Sequence, residues 1–168
     1  MAYISEEECR DIAGEDINAT LRGSAQTFVE EWMNYFYESG TETDEGHTGD
    51  GTRILLVWKP PIVEVSAIAL GDLTIDPSDE NLIRLTKPVG KIWYAGDWTK
   101  KDYDNITITY TYGGVTVPDD VKVITAQVAA FLKMNPTNLT SEGVGSYRAT
   151  FGKGLDGILG RLPRRIPG

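Results

Sequence analysis

The sequence has very few of the residues from which most catalytic and metal-binding sites are built. Its 168 residues include one cysteine, Cys9, and one histidine, His47. A single cysteine excludes an internal disulfide and any zinc or iron–sulfur site made of cysteines. A single histidine excludes most histidine-based metal sites, and no nucleophile–base pair is apparent. We therefore expect a protein with no cofactor, no metal and no enzymatic activity.

Long apolar runs are also missing. The longest run, residues 54–58 (ILLVW), is far too short to cross a bilayer core of about 30 Å. The N-terminus has neither the basic region nor the apolar stretch of a secretion signal. We therefore expect no contact with a membrane and synthesis in a reducing cytoplasm.

Basic residues are scarce, and they are unevenly distributed. The chain has 16 Lys and Arg against 25 Asp and Glu, a formal net charge of −9. Residues 1–50 carry −11, residues 51–138 carry −1 and residues 139–168 carry +3. The acidity argues against non-specific binding to nucleic acid. An acidic body with a basic C-terminus favours contacts with other copies of the chain or with another acidic surface.

The first helix is predicted from its end signals. Ser5 and Glu8 have the spacing of a capping box, and Gly14 has the position of a helix terminator. These signals predict a short helix over residues 6–13.

Two longer helices are predicted from apolar periodicity. The first starts near Ile17 and ends near residues 39–40; the other starts at Asp119 or Asp120 and ends near Met134, before Asn135-Pro136. We expect their apolar faces to form a helical core. Its residues are Ile17, Leu21, Phe28, Trp32, Phe36, Val121, Ile124, Val128, Phe131 and Leu132.

Residues 40–51 contain no large apolar side chain and four glycines, which is typical of a flexible acidic loop. His47 lies near Asp44, Glu45 and Asp50 in this segment, but the spacing is not that of a calcium loop. We interpret the segment as a solvated linker and not as a metal site.

The middle of the chain has the composition of β structure. Residues 105–112 alternate apolar and threonine side chains as a half-buried strand does. Shorter apolar runs bounded by Gly, Pro and Asp occur at residues 53–59, 62–70, 82–85 and 91–94. Five or six short strands at this spacing predict a small antiparallel sandwich or barrel.

The predicted fold class is therefore α+β. Residues 1–50 supply the N-terminal helices and the acidic loop, and residues 117–136 supply the helix that completes a small helical bundle. Residues 51–116 form an inserted antiparallel β domain of sandwich or barrel type. Residues 137–168, rich in glycine and arginine, form an extended basic C-terminal arm.

More than one function is compatible with these features. The β domain, with Trp93, Tyr94 and Trp98, suits a free-standing module that binds carbohydrate or protein. The arginines of the C-terminus, interleaved with Leu162 and Ile166, suit docking to an ordered partner. The same arm is also compatible with a solvated tail and, less favourably, with DNA binding.

Several short motifs together resemble the head-to-tail adaptor (connector) proteins of tailed bacteriophages and related viruses. In that family a strand ending in Tyr-x-Tyr-Gly precedes a Val-Pro-x-Asp-Val-Lys helix start, as in residues 110–122 (YTYGGVTVPDDVK). A Ser-Glu-x-x-Gly-x-Tyr segment follows, here in residues 140–151 (TSEGVGSYRATF). Pro60-Pro61-Ile62 also fits the start of the β insert. The family's C-terminal Tyr-Arg-Arg is replaced by residues 162–165 (LPRR).

The resemblance implies a structural protein of the virion neck, assembled in the host cytoplasm. It implies a ring, typically twelvefold, between the portal protein and a stopper, tail-completion or tail protein, with double-stranded DNA passing through it. A tail-completion protein of the same particle is the alternative. The resemblance also implies that the arm docks to the portal through Tyr147, Arg148, Leu155, Ile158, Leu159, Arg161, Leu162, Arg164, Arg165 and Ile166.

Overall fold

The computed structural model describes residues 3–99, 105–134 and 157–162, and the fold is α+β. The chain divides into two compact units. The described part of the helical unit is residues 3–33, 116–134 and 157–162. The described part of the β unit is residues 34–99 and 105–115.

The first helix has the predicted ends. Helix α1 spans Glu6–Ala13. The Glu8 amide donates to Ser5 Oγ at 3.1 Å, and the Ser5 amide donates to the Glu8 carboxylate at 2.8 Å, so the capping box is complete. Gly14 ends the helix at a φ of 75°, where a residue without a Cβ is favoured.

The second helix is shorter than its apolar periodicity predicts. Helix α2 spans Ala19–Met33, and the Asn18 side chain accepts from the Leu21 amide at 2.9 Å near its start. Asn34 adopts a φ of 48°, the left-handed conformation that asparagine tolerates after a helix. The prediction of a helix to residues 39–40 is therefore wrong. Phe36 lies in the β unit, where its ring meets that of Tyr112 edge-on at 5.8 Å.

The third helix packs on the other two. Helix α3 spans Asp119–Met134 and contacts both α1 and α2. Lys122 Nζ donates to Glu8 at 2.8 Å, and Lys133 Nζ donates to Glu15 at 2.7 Å. Of the residues proposed for the helical core, the buried ones are Ile17, Leu21, Val121, Ile124, Val128 and Leu132. Phe28, Trp32 and Phe131 are half-buried.

The β unit contains seven strands among its described residues. They are β1 (Gly40–His47), β2 (Ile54–Leu56), β3 (Ile62–Leu70), β4 (Leu73–Ile75), β5 (Ile83–Thr86), β6 (Lys91–Tyr94) and β7 (Ile106–Tyr112). One sheet has the order β1-β7-β3-β4 and the other the order β2-β6-β5, and every strand pair is antiparallel. Neither sheet closes into a barrel. Side chains from both sheets, including Ile68, Ile92 and Ile108, form one hydrophobic core.

The acidic segment is a strand and not a flexible loop. Residues 40–47 pair with β7 from Gly40↔Tyr112 to His47↔Ile106, with a bulge between Glu42 and Glu45. Asp44 has a φ of 53° within that bulge. The composition misled the prediction because β1 is an edge strand, where charged side chains are common. The backbone hydrogen bonds to the apolar β7 supply the pairing that periodicity does not reveal.

Candidate assembly surfaces

The notable polar and apolar groups among the described residues lie on two exposed surfaces and around one buried carboxylate. No group of three or more His, Cys, Asp or Glu side chains in residues 3–99, 105–134 and 157–162 is arranged to hold a metal ion. In the same ranges, no helix is long and apolar enough to cross a membrane. The Cys9 thiol is buried, and burial raises its pKa.

Glu45 is a buried carboxylate with three donors around it. Glu45 is 3% exposed to solvent. The Tyr110 hydroxyl donates to it at 2.5 Å, the Trp58 amide at 3.0 Å, and His47 Nε2 lies 2.5 Å from the same carboxylate. Burial by itself would raise the pKa of Glu45, but the hydrogen bonds from His47, Tyr110 and the Trp58 amide lower it below the ordinary value. The carboxylate therefore joins β1, β7 and the segment after β2.

This arrangement favours stability over catalysis. The Trp58 amide and the Tyr110 hydroxyl both donate to the Glu45 carboxylate, and an ionised carboxylate accepts a third hydrogen bond when His47 carries its proton on Nε2. Burial, followed by the hydrogen bond to Glu45, raises the pKa of Tyr110 well above its ordinary value. The Tyr110 hydroxyl also accepts from the Lys59 amide at 3.1 Å. The network connects neighbouring strands through one buried carboxylate.

The three aromatic residues considered for carbohydrate binding do not share a surface. Trp98 is 1% exposed, and its ring packs against that of Tyr94 with centroids 4.9 Å apart. Trp93 precedes Tyr94 on β6, so the two side chains leave opposite faces of the strand. The stacking surface proposed from sequence is therefore wrong, because strand alternation and burial separate its members.

An exposed apolar and basic surface lies on the three-stranded sheet. Cross-strand pairing aligns Ile54, Trp93 and Arg84 in one row and Leu56, Lys91 and Thr86 in the next. The alternate residues Leu55, Ile83 and Ile92 are buried, so the six aligned side chains point away from the core. We call these six residues the outer sheet face. Ile54 is 43% exposed and Leu56 37% exposed.

The charges on the outer sheet face are all positive. The Arg84 guanidinium lies over the Trp93 ring, 5.1 Å from its centroid. Neither Arg84 nor Lys91 has a carboxylate within ion-pair distance among the described residues. An apolar surface with two unpaired cations, on a protein of net charge −9, is a candidate site for an acidic partner.

The solvent side of α1 has the opposite character. Glu7 and Asp11 are exposed and one helical turn apart, on the side of α1 opposite the buried Cys9. Neither carboxylate has an ion-pair partner among the described residues, whereas the neighbouring Glu8 pairs with Lys122. Two like charges at this spacing destabilise an isolated helix.

The C-terminal segment is packed where the structure describes it. Residues 157–159 form a helical turn, and Leu159 and Leu162 are 4% and 5% exposed. Arg161 donates to the Gln127 side chain of α3 at 3.4 Å. The expectation of an extended arm is thus wrong for residues 157–162, because two leucines in one turn supply enough apolar surface to pack. Ile158 is half-buried; Tyr147, Arg148, Leu155, Arg164, Arg165 and Ile166 lie outside the described residues.

Sequence reasoning missed the outer sheet face, although a signal for it exists. Residues 54–58 are apolar at successive positions and not only at alternate ones. A strand apolar on both faces is typical of a sheet covered on both sides. In this sheet only one side faces the core of the unit, so the same run leaves Ile54 and Leu56 exposed.

A comparison with family profiles identifies one family, and a comparison with solved structures identifies one fold. A family profile described as "HCP: Head completion protein" matches residues 10–153. The chain is similar in structure to a protein in the neck of an empty gene transfer agent (GTA) particle computed with C6 symmetry, with a TM-score of 0.63 and 15% identity over 95% of this chain and 88% of that one. A neck structure of the native particle computed with C12 symmetry has a TM-score of 0.56 and 15% identity over 92% and 85% of the two chains.

A third similar structure is the virion of a native GTA particle, with a TM-score of 0.53 and 15% identity over 99% and 91% of the chains. At this identity the structural matches establish a shared fold. The comparison with curated protein sequences finds no match.

Proposed function

Because the chain belongs to the head completion protein family, it is a head-to-tail adaptor of the virion neck, and we propose that it forms a twelve-subunit ring between the portal protein and the next neck or tail protein. The observation that carries the proposal is the family match, which spans most of the chain. The similar neck structures, computed with C6 and C12 symmetry, favour a ring whose subunit number is a multiple of six.

Two features of the folded chain support assembly into a ring. A closed ring needs two different complementary surfaces on every subunit. The chain has an apolar and basic surface on the outer sheet face and an acidic one on α1. We propose that the helices form a small bundle and that the two sheets of the β unit, which lies between α2 and α3 in the sequence, form a sandwich.

The charge of the chain suits passage of double-stranded DNA through the ring. A subunit of net charge −9 repels the phosphate backbone over the Debye length of roughly 8 Å at physiological salt. Repulsion of this kind lets DNA pass without being held, since each phosphate contact would otherwise add affinity. The protein in this role is structural and needs no enzymatic activity.

The C-terminal arm is the proposed contact with the portal. Residues 139–168 carry a net charge of +3, and three arginines lie within residues 161–165. Because Leu159 and Leu162 are buried, removal of residues 155–168 would disturb packing as well as docking. A truncation that removes only residues 163–168 keeps both leucines and deletes Arg164, Arg165 and Ile166.

The experiment combines the full-length chain with its portal protein and images the complex by electron cryomicroscopy. We expect a ring of adaptor subunits on the portal, and loss of portal binding without loss of the folded state in the chain truncated after Leu162. A chain that stays monomeric and does not bind the portal at micromolar concentration would refute the adaptor function. Undiminished binding by the truncated chain would refute only the role of the arm.

A further inference from the structure

We propose that the outer sheet face of one subunit binds the acidic side of helix α1 of a second copy of the chain, and that this contact joins neighbours in the ring. The inference rests on the proposed ring and assigns its subunit interface. The choice of partner follows from charge. Among the described residues, neither the cations Arg84 and Lys91 of the outer sheet face nor the carboxylates Glu7 and Asp11 of α1 have an ion-pair partner.

The dimensions of the two surfaces agree. Arg84 and Lys91 occupy diagonal positions on neighbouring strands, which places their Cβ atoms about 7 Å apart. Glu7 and Asp11 are four residues apart on a helix, with Cβ atoms roughly 6 Å apart. Long, flexible side chains easily span the difference, so both ion pairs form together.

The sizes of the elements agree as well. The eight residues of α1 are about 12 Å long. Three strands spaced about 4.8 Å apart present a face of similar width. Ile54, Leu56 and Trp93 lie between and beside the two cations, and the methylene groups of Glu7 and Asp11 cover part of that apolar surface.

The contact also accounts for two local features of the isolated chain. The like charges of Glu7 and Asp11 oppose one another in the monomer and become favourable beside a cationic partner. Exposed Ile54 and Leu56 become covered. Each copy offers its sheet to one neighbour and its α1 to the other, which is the heterologous contact that a ring requires.

The test uses charge reversal in the full-length chain. One variant is Arg84→Glu with Lys91→Glu, a second is Glu7→Lys with Asp11→Lys, and a third combines all four changes. Ring formation is measured against protein concentration by mass photometry, alone or on the portal, and circular dichroism checks the fold. We expect each double variant to need about tenfold more protein for half-assembly, and the combined variant to assemble within about threefold of the wild type.

Mixing the two double variants provides the sharper result. In a ring that alternates the two variants, half of the junctions join the reversed sheet face of one variant to the reversed α1 of the other, and the remaining junctions join the two unchanged surfaces. Every junction therefore joins opposite charges, whereas every junction in a ring of one variant joins like charges. We expect the mixture to assemble at a concentration where neither variant does alone. Restoration in the mixture requires a contact between subunits and excludes compensation inside one chain. Failure of the mixture and of the combined variant to recover assembly overturns the proposal.

A matched control separates this interface from the effect of net charge. Glu64→Lys with Asp72→Lys changes the net charge by the same amount as Glu7→Lys with Asp11→Lys, at exposed positions outside both surfaces. We expect this control to assemble as the wild type does, and equal loss of assembly in it overturns the proposal. Normal rings from Arg84→Glu with Lys91→Glu that fail to bind the next neck protein also overturn it, and assign the face to that protein. Failure of the wild type to form rings at all would instead count against the proposed function.

Discussion

Replacing Glu45 with glutamine tests whether the buried carboxylate holds the β unit together. The carboxylate is surrounded by the Tyr110 hydroxyl, the Trp58 amide and His47 Nε2, at 2.5–3.0 Å. A glutamine of the same shape turns its own NH2 donor towards at least one of these donors. Hydrogen bonds to charged groups contribute about 1.5–3 kcal/mol each, and a buried donor without an acceptor costs a similar amount. We therefore expect Glu45→Gln to destabilise the protein by about 3 kcal/mol.

Thermal unfolding at neutral pH is the assay, with Glu42→Gln as the matched control. For a chain of this length, about 3 kcal/mol lowers the melting temperature by roughly 6–12 °C. Glu42 lies on the same strand, but its ion pair with Lys59 is partly exposed, so its substitution should cost less than about 1 kcal/mol. Equal losses in the two variants would refute the reasoning.

The pH dependence gives an independent check on Glu45. Its pKa is lower in the folded protein than the ordinary value of about 4.3, so its contribution is complete above that pH and is lost as the pH falls through the folded pKa. The melting temperature of Glu45→Gln should therefore fall less steeply with acid than that of the wild type. A parallel fall in both proteins would contradict the assignment.

Three further outcomes follow from the described contacts. Tyr110→Phe removes a donor to Glu45 and an acceptor for the Lys59 amide, so urea unfolding should show a loss of about 1–3 kcal/mol; no loss would be inconsistent with the network. The Lys122 ammonium and the Ser5 amide lower the pKa of Glu8 to about 2. Glu8→Gln should therefore flatten the decline in melting temperature between pH 5 and roughly pH 2, and the effect should be modest because the ion pair with Lys122 is partly exposed. An unchanged pH profile would argue against a contribution from this ion pair. Gly113→Ala should unfold far below the wild-type temperature, because the φ of Gly113 is 74° and a Cβ would lie 1.8 Å from a backbone oxygen. Gly51 has a φ of 83° but open space around it, so Gly51→Ala should lower the free energy of unfolding by only about 1–2 kcal/mol.

The parts of the fold that sequence predicted are those whose signals are local. Ser5, Glu8 and Gly14 define both ends of α1 through contacts within ten residues, and the structure confirms them. Residues 106–112 show the period of two because one side of β7 faces a continuous core. In both cases the pattern and the structure arise from the same neighbours.

The errors have a common physical origin in distant parts of the chain. Periodicity carried α2 on to Phe36, but the backbone turns at Asn34, and the Phe36 amide donates to the Pro60 carbonyl at 2.8 Å. The acidic β1 is held by β7, about sixty-five residues later, and by the buried Glu45. Neither partner leaves a mark in the segment itself, so composition alone predicted a loop.

The surfaces of an adaptor are harder to predict than its core, for a reason that the outer sheet face makes clear. Burial of one face of a strand makes its apolar residues alternate with polar ones. An interface depends on a second molecule, so in the sequence of one chain it shows only as apolar residues in excess of those that the core needs. Ile54 and Leu56 are such an excess, since Leu55 already fills the inner side of β2. Their pairing with Trp93 and Lys91 places basic and apolar groups on one surface, and that juxtaposition depends on strand register. The net charge of −9 concealed it, because two cations contribute little to a sum dominated by twenty-five acids.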